Sequence, residues 1–70
     1  MPKLFSPRLV VRVLEKNGFI FVSQKGSHAK YRKVGREVLT TIVPMHKKEI
    51  PMGTFNSVLR QSGLKKEDFE

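Results

Sequence analysis

No cysteine occurs in the chain, which excludes disulfides and thiolate chemistry. Histidine is scarce, with two residues, and the six acids are dispersed, so no zinc site has workable ligand spacing and no cofactor is implied. Long apolar runs are missing too: none approaches the roughly 20 residues that cross a bilayer. Met1 to Phe5 lacks the apolar stretch of a signal peptide. These absences lead us to expect a soluble, unprocessed, cytoplasmic protein with no membrane partner. The length of 70 residues allows one compact domain spanning 1–70. At that size only about 60% of the unfolded surface is buried, so the core is small and a deep substrate cavity is not expected.

Negative charge is the other scarce quantity, with 14 Lys and Arg set against six Asp and Glu for a formal net charge of +8. Such an excess points to a polyanionic partner, nucleic acid or an acidic protein, against the plainer reading of a surface tuned for solubility. Lys25, Lys30, Arg32, Lys33, Arg36, Lys47 and Lys48 fall in the middle of the chain, whereas Glu49, Glu67, Asp68 and Glu70 lie in the last third. The positive field should therefore be one-sided.

Ser6-Pro7 reads as a helix start, because Ser can cap free amides and Pro is favoured at the first helical position. Asn17-Gly18 is the matching stop, and Val10, Val13 and Leu14 supply an apolar stripe between them. Phe19 to Ser23 reads as a strand with apolar residues on both faces, and Tyr31 to Val34 and Val38 to Val43 read as two more. Lys25-Gly26-Ser27 and Val34-Gly35-Arg36 are the turns of a meander. After Pro44 a linker from Met45 leads to Pro51, which opens a second helix carrying Phe55, Val58 and Leu59 and stopping at Gly63. Lys65 to Phe69 is a candidate last helical turn, weakened by Lys65 where a capping Ser or Thr is usual. The expected class is α+β, in the order α-β-β-β-α: a three-stranded antiparallel sheet with both main helices on one face and the other face open.

The open face is where chemistry would sit. If the second strand begins near His28, alternation puts His28, Lys30 and Arg32 on one face and Ala29, Tyr31 and Lys33 on the other. A histidine both takes and gives protons near neutrality, and flanking cations can hold a phosphodiester beside it. Plainer readings stand alongside: a solvated histidine after a turn, Gly26 as a positive-φ turn glycine, Ser27 as a turn residue, Tyr31 as a core aromatic rather than a base-stacking platform.

Five ordered stretches carry a resemblance. They are Asn17-Gly18-Phe19; Lys25-Gly26-Ser27-His28 with Tyr31; Val43-Pro44-Met45-His46; Ile50-Pro51-Met52-Gly53-Thr54-Phe55; and Ser57 through Leu64. Together they resemble the HicA (YcfA-like) toxin family over nearly the whole chain. That resemblance implies a fold similar to the double-stranded RNA-binding domain. It also implies a metal-independent endoribonuclease that cleaves mRNA, held inactive by a HicB antitoxin. The family's catalytic histidine, in its Gly-Ser-His motif, matches His28, and Gly26 and Ser27 match the positions before it. His46 falls in a second, less strict histidine-containing stretch and is a candidate RNA contact, with Lys47 beside it.

The chemistry implied is removal of a ribose 2′-hydroxyl proton by His28, with Lys25, Lys30 and Arg32 offsetting charge at phosphorus. The group that protonates the leaving 5′-oxygen stays open among His28 itself, water and His46. A HicB-like antitoxin would be expected to cover the His28 face and block mRNA. The alternative is a non-catalytic RNA-binding module of the same fold. A domain that meets only an acidic protein through its basic face is a further option.

Overall fold

A computed structural model describes residues 4–70. Met1, Pro2 and Lys3, part of the segment inspected for a targeting signal, lie outside the described residues. Helix α1 spans Pro7–Lys16, with the Ser6 hydroxyl oxygen accepting a hydrogen bond from the Leu9 amide at 3.1 Å. Its inward stripe buries Val10, Val13 and Leu14. Gly18, at φ 92°, reverses the chain after Asn17, and the Phe19 amide donates back to the Leu14 carbonyl at 3.0 Å. This closure recruits Phe19 as the apolar partner of the helix end and buries it. It also corrects the expected strand boundary: the first strand, β1, runs Ile20–Lys25 rather than from Phe19 to Ser23.

Strands β2 (His28–Val34) and β3 (Val38–Pro44) complete an antiparallel meander in the order β1-β2-β3. On one face Ala29, Tyr31, Thr41 and Val43 are buried beneath the helices. The opposite face is set by the register. From one end to the other, its rows are Lys25, His28 and Pro44; Ser23, Lys30 and Ile42; Ile20, Arg32 and Thr40; and the Val34–Val38 pair at the hairpin. β1 carries a bulge between Phe21 and Ser23, two residues whose partners Tyr31 and Lys30 are adjacent. With period-two alternation Phe21 and Lys25 would share a face; the bulge instead sends Ser23 and Lys25 to the side of His28 and Lys30.

Helix α2 spans Met52–Ser62 behind Pro51 and ends at Gly63, which has the left-handed φ of 74°. Its stripe of Phe55 and Val58 is buried against the sheet, and both helices pack on β3. That placement leaves every β1 residue exposed, so the apolar character of Phe21 and Val22 is not spent on the core as expected from their composition. The two sheet edges differ as a result. The Gln61 side-chain Oε1 accepts hydrogen bonds from the Thr41 hydroxyl at 3.0 Å and the Ile42 amide at 3.4 Å, so α2 covers the β3 edge. β1 is bare.

The C-terminal 3₁₀ turn, Lys66–Phe69, is better capped than Lys65 suggests. An Asp68 carboxylate oxygen accepts from the Lys65 amide at 2.8 Å, and the Asp68 amide returns a bond to the Lys65 carbonyl at 2.9 Å. The turn delivers Phe69 to a cluster with Phe5 and Phe55, with ring centroids 5.0 Å (Phe5–Phe55), 6.2 Å (Phe5–Phe69) and 5.1 Å (Phe55–Phe69) apart. Among the described residues no helix is long and apolar enough to cross a membrane.

Candidate functional site

The turn between β1 and β2 fixes where His28 stands. Gly26 has φ 60°, the left-handed region where a side chain is strained, and the Gln24 side-chain amide donates to its carbonyl at 3.0 Å. His28 follows as the first residue of β2, exposed, in a row with Lys25 and Pro44. From the register, Lys30 lies on the same face beside Ser23 and Ile42. A cleft is lined by Ser23, Lys25, Gly26, His28, Lys30 and Ile42.

A second cleft shares His28 and Ile42 and continues along Pro44, His46, Lys47, Thr54, Ser57 and Gln61. His28 therefore lines both clefts. The His46 ring faces it with centroids 6.2 Å apart and planes inclined at 61°. This approach is not an accident of a loose loop, because the Met45 amide donates to the Ser27 carbonyl at 2.6 Å. The residue before His46 is thus tied to the residue before His28. Ser27 contributes this carbonyl and lines neither cleft.

The sequence-derived candidates divide accordingly. Lys25, Gly26, His28 and Lys30 line the first cleft, and His46 and Lys47 join His28 in the second. Arg32 faces the same side but sits further along, between Ile20 and Thr40, and lines neither cleft. Tyr31 is buried on the helix side, edge-on to Phe21 at 5.8 Å, so it offers no surface on which a base could stack. Desolvation, reinforced by the Glu15 carboxylate, raises its hydroxyl pKa above 10.0.

Sequence reasoning missed Ser23, Ile42, Thr54, Ser57 and Gln61. The last three had a signal: at i, i+3 and i+7 they form a polar stripe along α2, which the chain places at the β3 edge. Ser23 had none, since its face depends on the bulge. Among the described residues, no three His, Asp or Glu side chains stand together as metal ligands would.

The site therefore offers two imidazoles within reach of one small group, flanked by lysines, on an exposed surface. Such a surface can bind a phosphate and exchange protons on two sides of it. No curated protein sequence matches the chain. The family model described as the HicA toxin of bacterial toxin-antitoxin matches residues 7–64, from the first residue of α1 to just past the end of α2. With all three strands, both helices and both histidines inside that match, the chain belongs to the HicA toxin family and is the toxin of a toxin-antitoxin pair.

Proposed function

We propose that this toxin is a ribonuclease that cleaves mRNA by transesterification, with His28 as general base and His46 as general acid. The observation that carries the proposal is the His28–His46 pair, 6.2 Å apart across a lysine-lined surface. A catalytic proton transfer works over about 2.6–3.2 Å between heavy atoms, and with ring centres 6.2 Å apart the two imidazoles are close enough for each to reach an oxygen of the same phosphodiester.

In the reaction, neutral His28 takes the proton of a ribose 2′-hydroxyl, and the oxygen attacks the adjacent phosphorus. The bond from phosphorus to the 5′-oxygen breaks in line, and protonated His46 gives that oxygen its proton. A 2′,3′-cyclic phosphate and a free 5′-hydroxyl result, and the two imidazoles exchange protonation states. Lys25 and Lys30 on one side and Lys47 on the other balance charge on the non-bridging oxygens, an electrostatic contribution that needs no reorganisation at the moment of reaction. Neither histidine role calls for a metal ion. The α-β-β-β-α order agrees with a double-stranded RNA-binding-domain-like scaffold whose open sheet face does the chemistry. A HicB-like antitoxin covering the His28 face would silence it by excluding mRNA.

The test is cleavage of a defined RNA by the purified toxin and by His28→Ala, with the product ends identified. The proposal requires a cyclic phosphate and 5′-hydroxyl from the wild type and a fall of at least about 100-fold in the variant. Products with a 3′-hydroxyl and 5′-phosphate would exclude attack by the 2′-oxygen. Unchanged RNA binding with no cleavage by either protein would establish a non-catalytic RNA-binding module instead.

A further inference from the structure

The open face is not uniform. Its His28 end is polar and cationic, whereas its hairpin end exposes Ile20 by 63%, Val34 by 70% and Val38 by 58%. Val34 and Val38 are direct cross-strand partners, and Ile20 lies on the same face diagonal to Val34, close enough for aliphatic side chains to form one patch. Arg32 borders that patch between Ile20 and Thr40, half-buried, with its Nε buried and without a hydrogen-bond partner. We infer that this hairpin end is the anchor for the antitoxin, taking an acidic polypeptide segment whose apolar side chains cover Ile20, Val34 and Val38 and whose carboxylate meets Arg32. The inference rests on the chain being the toxin of a toxin-antitoxin pair and extends the proposed occlusion of His28.

The chemistry of the patch selects among occupants. RNA binds bare protein surfaces through phosphate contacts and through stacking on aromatic or guanidinium planes, and the valines and isoleucine offer neither. A second copy would bring another +8 of charge against the same face. An acidic partner gains from that charge, and burial of aliphatic side chains at the centre with charged contacts around them is what protein interfaces use. Val34 lies six positions along β2 from His28, about 20 Å at strand rise, so a segment seated on the hairpin end runs past Arg32 and Lys30 to reach the His28 row.

The experiment compares the wild type with Val34→Thr/Val38→Thr, which keeps β-branched side chains on the strands while removing the apolar surface. The cognate antitoxin is titrated into each by calorimetry, the free proteins are sized in solution, and RNA cleavage by each free protein is measured. We expect antitoxin binding to weaken by about 30-fold or more and cleavage by the free variant to stay within about twofold, so that the variant escapes neutralisation. If the double variant does not fold, the single Val38→Thr is read in the same way with an expected loss of about fivefold. Antitoxin affinity within about twofold of wild type, an equal loss of RNA affinity, or a wild-type dimer that becomes monomeric in the variant would each overturn the anchor. Because binding is read directly by heat, the result stands apart from the nuclease proposal: an inactive wild type would sink the latter and leave the anchor tested.

Discussion

Replacing His46 by Ala examines the division of labour between the two imidazoles. The rings stand 6.2 Å apart, too far to hydrogen-bond one another and close enough to share a phosphodiester. The Met45 amide, bonded to the Ser27 carbonyl at 2.6 Å, stays in place because the main chain is unaltered, so the substitution removes the imidazole proposed as proton donor and little else. Losing a general acid costs about 10² to 10⁴ in rate, or roughly 3–5 kcal/mol of barrier at about 1.4 kcal/mol per tenfold. The assay is single-turnover cleavage of an RNA dinucleotide, followed by the same measurement on a uridine 3′-phosphate ester with a nitrophenol leaving group. The nitrophenolate departs without a proton. His46→Ala should therefore be slow on RNA and close to wild type on the activated ester, while His28→Ala should be slow on both. Equal defects on both substrates, or a loss of less than about tenfold on RNA, would refute the assignment of His46 as the acid.

Gln61→Leu leaves the fully buried Thr41 hydroxyl and the Ile42 amide without their acceptor and should cost about 1–3 kcal/mol in urea unfolding, of which adding Thr41→Val should recover a part. Additive losses in that double variant would show that the hydroxyl had found another partner. Tyr31 titrates higher in the fold than its ordinary 10.0, so its contribution to stability is complete below that pH and is lost as pH rises through the folded value. Tyr31→Phe should flatten the alkaline limb of the stability profile, and an unchanged limb would assign it to other groups.

Local rules made most of the scaffold legible. Ser6-Pro7 and Asn17-Gly18 bound α1 where capping chemistry places them, and Gly63 ends α2 in the left-handed conformation its position demands. Alternation in β2 is regular, so Ala29 and Tyr31 pack inward while His28, Lys30 and Arg32 face outward. Failures occurred where a long-range contact decides. Phe19 looks like a strand residue, but the helix closure claims it, and the apolar run that follows forms a bare edge because both helices settle on β3. The neighbourhood of His28 and His46 was equally hidden, since 18 positions of chain separate them and the gap is closed by the pairing of His28 with Pro44 and the Met45–Ser27 bond beyond it. Capping rules favouring Ser or Thr also undervalued Lys65, whose main-chain amide, not its side chain, is what Asp68 engages.

The bulge in β1 also determines which changes of chain length the site can survive. Val22 is the residue left without a cross-strand partner between Phe21 and Ser23. Its deletion would leave the pairs of Ile20 with Arg32, Phe21 with Tyr31, Ser23 with Lys30 and Lys25 with His28 intact on a straightened ladder. A deletion only two positions later, at Gln24, would turn Lys25 towards the helices or pull the Gly26 turn out of step with His28, because a strand side chain changes sides with every residue. Within this one strand, then, a single position acts as slack in the chain, which can shorten there by one residue with the cleft-lining Ser23 and Lys25 still in place.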